Sequence, residues 1–296
     1  MPKKIIFMGT PMFAVPILKS LYQNGFPINL VYTQPPQKSH RGQRINKSPV
    51  QGISETLNIE FRSPQNLKNN TEEYEFLKKM EADLAIVVAY GQIIPKEYLS
   101  LTKKGFINIH ASILPKWRGA APIQRAIMNL DTETGISIMK INEELDSGPV
   151  SNTYKIKLDQ SLNAKEVSEK LALIAADKIL DVVDEIFEGK SNFVDQDNSK
   201  ATYAKKITKN EGQIDWKSDA LKIIGKINGL YPYPGAFFNF NGQRYKVLKA
   251  EIGNGIGKNG EVISDDLEIA CGGEKSIKVV EIQREGKKVQ KIGEFM

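Results

Sequence analysis

Cysteine is almost absent from this sequence. Cys271 is the only cysteine among 296 residues, so no internal disulfide and no Cys-based metal cluster can form. Histidine is nearly as rare, with only His40 and His110. Two distant histidines and one cysteine do not make a metal site, so we expect the protein to use no metal. The cysteine count also predicts a reduced setting inside the cell.

Long apolar runs are missing as well. The apolar residues 5–8 briefly imitate a signal peptide, but Gly9, Pro11 and Pro16 interrupt the run, and no small-residue cleavage site follows. No other stretch approaches the ~20 apolar residues that span a bilayer. We therefore expect a cytoplasmic protein that has no membrane partner.

The chain is long enough for two domains and carries a modest positive charge. Its composition is 41% hydrophobic and 26% charged, with a formal net charge of +6, which is ordinary for a folded protein. A positive balance favours a polyanionic partner, but a small excess of lysine also arises in proteins without one. The charge alone therefore leaves nucleic-acid binding open.

Strand and helix signals alternate through the first two-thirds of the chain. Short apolar runs predict strands at residues 4–8, 28–32, 84–89, 107–109 and 136–141. The run at 84–89 is apolar on both faces, which is typical of a buried strand. Strands that alternate with helices imply crossover connections. We therefore predict an α/β fold with a Rossmann-like, mostly parallel sheet covered by helices on both faces.

A different organisation is predicted for the last third. An amphipathic helix at 163–188 is followed by a polar, basic segment at 191–209 that is typical of a linker. Short alternating strands come next, and Asn241-Gly242 between two of them favours a type I′ hairpin. Such strands predict a small OB-like β-barrel. The predicted domains are therefore residues 1–190 and 210–296, joined by the basic linker 191–209.

One glycine motif in this last third is misleading. Residues 255–260 fit G-x-G-x-x-G, but a strand signal follows them, whereas a dinucleotide fingerprint must open a helix. We interpret these glycines as a hairpin loop. Gly9-Thr10-Pro11 follows the first strand, yet later glycines are missing and Pro11 removes an amide donor. Neither a bound dinucleotide nor a P-loop is expected.

Three polar residues form the candidate reacting centre. Asn108 and His110 lie two residues apart at the end of a predicted strand, so alternation points both side chains to one face. Asp146 lies just past the next predicted strand and could reach the same crevice. These groups suit acyl transfer, because the amide can hold a developing oxyanion while the carboxylate orients the imidazole. No activated Ser or Cys accompanies them, so direct attack by a substrate nucleophile is predicted. The alternative is a structural histidine satisfied beside a structural Asn and Asp.

Several segments resemble one known family. They are residues 108–124 (NIHASILPKWRGAAPIQ), 7–11, 87–95, 201–208, 232–236 and 267–272. Together these segments resemble the methionyl-tRNA formyltransferase family over nearly the whole chain. The Asn-x-His motif alone would indicate only a folate-dependent formyltransferase. Residues 118–124 and the carboxy-terminal domain are what single out the tRNA family.

The resemblance implies an enzyme with a folate donor and a tRNA acceptor. The donor would be 10-formyltetrahydrofolate, and the acceptor would be the α-amino group of methionine on initiator Met-tRNA, giving formylmethionyl-tRNA for translation initiation. Asn108 would hold the formyl oxygen, His110 would stabilise charge or relay a proton, and Asp146 would keep His110 in position. The positions implied for folate are Ala89, Tyr90, Gly91, Gln92, Ser112, Leu114, Pro115, Asn142, Glu143, Glu144 and Leu145.

Basic residues would hold the tRNA. Segment 34–49 is rich in cations and has no acid, which fits either a solvated basic loop or a grip on phosphates. The family has an acceptor-stem loop at this position, which implies the second role, with Arg41 as the leading residue. The expected tRNA-binding residues are Lys38, Arg41, Arg44, Lys47, Lys205, Lys206 and Lys209. The chain is expected to act as a monomer.

Three other functions fit parts of the pattern. Another folate-dependent formyltransferase could act on a small amine, although such a substrate would not require the basic segment or the second domain. A catalytically silent tRNA-binding protein could keep the fold, although Asn108, His110 and Asp146 argue against it. A hydrolase could release formate from the same folate, although it would have no use for a tRNA-binding domain.

Overall fold

The computed structural model describes residues 3–39 and 44–295, and for residues 38, 39, 44 and 45 it describes the backbone alone. The strands are β1 (Ile5–Gly9), β2 (Ile28–Tyr32), β3 (Gln37–Ser39), β4 (Arg44–Asn46), β5 (Phe61–Arg62), β6 (Leu84–Val88), β7 (Phe106–His110), β8 (Arg118–Gly119), β9 (Glu133–Lys140), β10 (Val150–Lys157), β11 (Tyr203–Ala204), β12 (Ala236–Phe240), β13 (Gln243–Gly253), β14 (Glu268–Cys271), β15 (Lys275–Arg284) and β16 (Gln290–Lys291). The helices are α1 (Ala14–Gln23), α2 (Pro49–Thr56), α3 (Thr71–Met80), α4 (Pro122–Met128), α5 (Ala164–Glu188), α6 (Ala220–Leu230) and α7 (Ile292–Phe295).

The chain divides into two compact units, the first of which comprises residues 1–118, 135–155 and 169–202. Its sheet has the strand order β10-β9-β7-β6-β1-β2-β5. β1 runs parallel to β2 and β6, and β7 runs parallel to β6, so the predicted mostly parallel α/β sheet is confirmed. β9 departs from this direction and runs antiparallel to β7, with Ser137 opposite His110.

The central strands of this sheet are covered on both faces. Every residue of β1 and of β6 is buried, as expected for a parallel sheet between two helical layers. Tyr32, Leu67 and Tyr98 join the core that packs on β1 and β6. Burial raises the pKa of the Tyr98 hydroxyl to about 12, since the charged form would have to leave water. This rigid centre supports the ends of β6 and β7, where the candidate site lies.

Side-chain caps explain where helices begin. Ser48 Oγ accepts a hydrogen bond from the Gln51 N–H at 2.9 Å and thereby caps α2. Asn163 and Glu166 cap α5 reciprocally, since each side chain accepts from the backbone N–H of the other, at 3.1 and 2.9 Å. A cap of this kind stabilises a helix by about 1 kcal/mol. The amphipathic helix predicted at 163–188 is confirmed as α5. Across the described residues no helix combines the length and apolar character that a bilayer crossing needs.

The second unit comprises residues 119–134, 156–168 and 203–296. Its sheet has the antiparallel order β12-β13-β15-β14, and β16 adds to β15. Helix α6 packs its apolar residues against this sheet, and the shared core includes Ile223, Ile227, Val247, Ile277 and Ile282. The sheet and helix form an antiparallel half-barrel, which confirms the small barrel that the alternating strands predict.

The turn between β12 and β13 has the predicted chemistry. Asn241 has φ 47° and Gly242 has φ 74°, and β12 pairs with β13 in register up to Phe240 and Gln243. Positive φ at both central residues is the requirement of a type I′ turn, and Asn and Gly meet it at low cost. The hairpin predicted from this dipeptide is therefore confirmed.

Residues 255–260 lie in the loop between β13 and β14 and open no helix, as the sequence predicts. Their interpretation as a hairpin loop is wrong, because β15 lies between β13 and β14 in the sheet and the loop crosses from one to the other. The Gly255 N–H donates to Glu268 Oε1 at 2.9 Å and to Ser276 Oγ at 3.0 Å. The Lys258 N–H donates to Glu261 Oε2 at 2.7 Å. The loop is therefore closed by carboxylates that belong to the chain itself.

Candidate active site

Asn108 and His110 project from β7, which lies between β6 and β9. Val87 of β6 is opposite Asn108, while Met139 and Ser137 of β9 are opposite Asn108 and His110. His110 is buried at 6% exposure, whereas Asn108 is half-buried. Their spacing of two residues on one strand places both side chains on the same face. In the described part of the chain, the Asn108 amide has no hydrogen-bond partner and is free to meet a ligand.

Both ring nitrogens of His110 face groups of the protein. Nε2 lies 2.9 Å from the main-chain oxygen of Trp117. That oxygen has no proton to give, so Nε2 carries the hydrogen and donates it. Nδ1 lies 3.6 Å from Asp146 Oδ2, which is within ion-pair range and longer than a good hydrogen bond. The structure therefore brings His110 and Asp146 together, as the sequence predicts.

The loop at residues 141–149 carries Asp146 and joins β9 to β10. Asn142 Nδ2 donates to Ser147 Oγ at 2.9 Å across the loop, and Asp146 itself has φ 47°. Gly148 packs so closely on the Lys140 oxygen that a Cβ atom there would overlap it. These contacts bend the segment tightly and give the Asp146 carboxylate its approach to His110.

The segment after β6 contributes two exposed backbone positions among the folate candidates. Ala89 and Gly91 are exposed and have φ of 48° and 83°. Tyr90 is 1% exposed, its main-chain oxygen accepts from Thr10 Oγ1 at 2.7 Å, and burial raises the pKa of its hydroxyl. Gln92 Nε2 donates to the Pro64 oxygen at 2.9 Å. The Tyr90 side chain therefore packs in the core of the first unit, and the Gln92 side chain forms a hydrogen bond within it.

The other folate candidates divide into buried and exposed groups. Ser112 is fully buried and donates to the Lys116 oxygen at 2.6 Å, and Leu114 is buried nearby while Pro115 is half-buried. The four candidates of the Asp146 loop are exposed: Asn142, Glu143, Glu144 and Leu145. Leu145 is 61% exposed although it is apolar, and an apolar side chain on a loop beside a polar centre is suited to ligand contact.

The first group of tRNA candidates belongs to the first unit. Arg41 lies outside the described residues, and Lys38 and Arg44 are described in their backbone alone. That backbone forms an antiparallel pair of strands in which Ser39 of β3 is opposite Arg44 of β4. Lys47 forms an exposed ion pair with Glu55 at 2.8 Å. The described part of the basic segment is thus two paired strands.

The second group of tRNA candidates belongs to the second unit. Lys205, Lys206 and Lys209 are exposed. Lys209 also lines a cleft of about 300 Å³, whose other cations are Arg244, Lys246 and Lys287. The Arg244 guanidinium lies 4.1 Å from the centre of the Phe237 ring in the same cleft. The sequence does not group these three cations with Lys209, because they are spread over β13 and the turn after β15.

Another residue that the sequence did not single out is Gln196. Its Nε2 donates to the main-chain oxygens of Asp146 and Gly148, and its Oε1 accepts from the buried Arg118. Within the part of the chain that the structure describes, no cluster of His, Cys, Asp and Glu is arranged to hold a metal ion.

Two family models match the chain. Residues 3–183 match the formyl transferase family, and residues 206–296 match the formyl transferase C-terminal domain. The two matches correspond to the parallel sheet and to the half-barrel. They define the class of the protein as the formyl transferases.

Relatives of high sequence identity show which family of formyl transferases the chain belongs to. A methionyl-tRNA formyltransferase from Pelagibacter ubique is 65% identical over 296 residues, covering 100% of this chain and 96% of the relative. One from Chelativorans sp. is 40% identical over 300 residues, covering 100% of this chain and 96% of the relative. The chain belongs to the methionyl-tRNA formyltransferase family, as its motifs predict.

Solved structures share the fold. The sugar 3N-formyl transferase WlaRD, determined in the presence of dTDP and 5-N-formyl-THF, superposes with a TM-score of 0.73 at 20% identity, covering 97% of this chain and 100% of that chain. HypX from Aquifex aeolicus, determined with tetrahydrofolic acid, gives 0.66 at 16% identity and covers 100% of this chain and 47% of that chain. At these identities the likeness concerns the fold alone.

Proposed function

We propose that the protein transfers the formyl group of 10-formyltetrahydrofolate to the α-amino group of methionine on initiator Met-tRNA. The observation that carries the proposal is the placement of His110 between the Trp117 oxygen and the Asp146 carboxylate, beside Asn108, in a chain of this family. The amine nitrogen bonds to the formyl carbon, and the bond from that carbon to N10 of the folate breaks. The amine loses one proton and N10 gains one.

Asn108 would hold the formyl oxygen. During attack this oxygen gains negative charge, and an amide N–H that points at it stabilises the transition state more than the ground state. The Asn108 amide is half-buried and has no partner in the described part of the chain, so it can make this bond without breaking another.

His110 would stabilise charge or relay a proton, which are the two roles that the family implies. Nε2 donates to the Trp117 oxygen, and Nδ1 faces Asp146, so the imidazole is held on both sides. Asp146 would fix the position of the ring beside Asn108.

The folate would be held largely through backbone groups. Ala89 and Gly91 are exposed after β6, and residues 142–145 are exposed on the Asp146 loop. The side chains of Gln92 and Ser112 form hydrogen bonds within the unit instead, and the Tyr90 side chain is buried in its core. A ligand at these positions would therefore meet peptide groups and the exposed side chains of residues 142–145.

The tRNA would be held by cations on each unit. We assign the segment of β3 and β4, with Arg41 as its leading residue, to the acceptor stem, and Lys205, Lys206 and Lys209 to the tRNA backbone. Lysines and arginines bind phosphates without sequence preference and release counterions when they do so. We also propose that the protein acts as a monomer in the cytoplasm, where translation begins.

The test is formylation of charged initiator tRNA by the purified protein, with formylmethionine measured after deacylation. His110→Ala should nearly abolish product. Asn108→Asp matches the size of the amide but removes its N–H donors, and should lower kcat by about 100- to 1000-fold. Formyl transfer to a small amine or to water, with none to tRNA, would reject the assignment to tRNA. Wild-type activity in both variants would reject the site.

A further inference from the structure

The side-chain amide of Gln196 uses its full hydrogen-bonding capacity. Nε2 donates to the main-chain oxygens of Asp146 at 2.9 Å and Gly148 at 2.8 Å. Oε1 accepts from Nε and Nη2 of Arg118 at 3.0 and 2.8 Å. An amide has two N–H groups and two lone pairs on oxygen, and all are occupied. Its orientation is fixed as well, because a carbonyl only accepts and a guanidinium only donates.

Arg118 supplies a buried positive charge to this contact. Its side chain is 3% exposed, and it also donates to Asn198 Oδ1 at 2.7 Å. In the described part of the chain its hydrogen bonds go to neutral amide oxygens. A cation that donates to Oε1 polarises the amide and strengthens donation from Nε2 at the other end. The charge of Arg118 therefore acts on the Asp146 loop through Gln196.

The segment that carries Gln196 is anchored to the same unit. Val150 and Val194 exchange backbone hydrogen bonds at 2.8 and 2.9 Å. Val150 begins β10, directly after the loop that carries Asp146. Gln196 thus reaches the loop from a support that is attached to one end of it.

Asp146 needs such a support. Its φ of 47° lies in the left-handed region, which residues other than glycine adopt less readily, so contacts from the surroundings help to fix it. Gln196 bonds to the carbonyl of Asp146 itself, which constrains the peptide plane next to the strained residue. The Asp146 carboxylate is then held 3.6 Å from His110 Nδ1.

The second partner of His110 is linked to the same guanidinium. The Trp117 oxygen that accepts from Nε2 belongs to the peptide group joined to Arg118. The partner of Nε2 is therefore linked to Arg118 by a peptide bond. The partner of Nδ1, Asp146, is linked to Arg118 by the hydrogen bonds of Gln196.

We propose that Gln196, oriented by Arg118, is a positioning residue that keeps the Asp146 carboxylate beside His110. The inference rests on the proposed formyl transfer and adds a residue to its site. Gln196→Glu is the sharpest test, because the side chain keeps its length and still accepts from Arg118 but loses both donors to the loop. It should lower kcat by about 10- to 100-fold, since small displacements of reacting groups have effects of that size, with little change in either KM.

A matched control makes the same substitution elsewhere. Gln290 also donates through Nε2 to a main-chain oxygen, that of Glu294, at 3.3 Å in the second unit. Gln290→Glu should leave kcat unchanged. Gln196→Met, of similar length and without charge, provides a second variant if Gln196→Glu fails to fold, and it should show the same loss of kcat.

A double-mutant cycle separates positioning from general destabilisation. If Gln196 acts through Asp146, adding Gln196→Glu to Asp146→Asn should lower kcat no further than Asp146→Asn alone. Losses that multiply would overturn the inference. A crystal structure of Gln196→Glu should show the Asp146 carboxylate displaced from His110, and an unchanged separation would also overturn it.

The outcome can be told apart from failure of the proposed function. If the wild type does not formylate Met-tRNA, the proposed function fails. If the wild type is active and Gln196→Glu matches it, only the positioning role is rejected.

Discussion

Trp117 contacts His110 through its main-chain oxygen, which lies 2.9 Å from His110 Nε2. The backbone at Trp117 has φ 61°, in the left-handed region that side chains rarely adopt. The direction of this carbonyl therefore depends on a backbone conformation rather than on the indole. The conformation itself becomes part of the site, and it can be perturbed separately from the side chain.

Substitutions at Trp117 should be ranked by how well they tolerate positive φ. Trp117→Asn and Trp117→Val both remove the indole, but Asn adopts the left-handed region far more readily than a β-branched residue. The Val variant should be less stable than the Asn variant by about 1–2 kcal/mol, and it should lose more kcat. Urea unfolding and formylation assays measure the two effects. Equal stability and equal kcat for the pair would contradict a role for the backbone at this position.

Salt should weaken tRNA binding through identifiable residues. The KM for tRNA should rise with salt far more than the KM for folate, because tRNA contacts release counterions. Removing one phosphate contact, by Lys209→Ala, should lower the slope of log KM against log salt by about 0.7–0.9. Lys222→Ala, an exposed lysine of α6 in the same unit, is the control and should leave the slope unchanged. An equal response of both KM values would contradict the assignment of these cations to tRNA.

The ion pair of Arg125 and Glu211 should make the stability of the second unit depend on acid pH. Arg125 Nη1 lies 2.6 Å from Glu211 Oε2, and the Thr208 N–H adds a bond at 2.8 Å. Arg125 above all, helped by Thr208, holds the pKa of Glu211 below its ordinary 4.5. A lowered pKa adds stability that is complete above the unfolded value and is lost as pH falls through the folded value.

Glu211→Gln should therefore reduce the free energy of unfolding at pH 7 by up to about 1 kcal/mol, an amount kept small by solvent screening of a partly exposed pair. The difference from wild type should shrink as pH falls below 4.5, where Glu211 becomes protonated. Urea titrations between neutral and acid pH measure it, with Glu274→Gln on an exposed turn as the control. A difference that stays constant with pH would contradict the ion-pair contribution.

Features that depend on neighbours along the chain could be predicted from the sequence. The uninterrupted apolar run of β6 predicted a buried strand, and Asn241-Gly242 predicted the type I′ turn. The spacing of Asn108 and His110 placed them on one face of β7. Apolar periodicity and turn chemistry are local properties, so a single sequence contains them.

Features that depend on distant residues could not be predicted. The apolar run of β9 fits either strand direction, and its antiparallel pairing with β7 became visible only in the sheet. Gln196 is 50 residues from Asp146 and lies in a polar segment that its composition marks as a linker. Hydrogen bonds from one side-chain amide to two main-chain oxygens leave no periodic signal in the sequence. The hydrogen bonds that support the Asp146 loop could therefore be identified only in the folded structure.

The glycine loop between β13 and β14 has a consequence for recognising proteins by short motifs. Its letters are those of a nucleotide-binding fingerprint, yet the Gly255 and Lys258 amides already donate to Glu268 and Glu261. These carboxylates of the chain itself therefore occupy two backbone donors of the loop that a phosphate would otherwise compete for. A search for the motif alone would assign this chain to the nucleotide-binding enzymes. In the structure, however, the hydrogen bonds of the loop join it to other residues of the half-barrel.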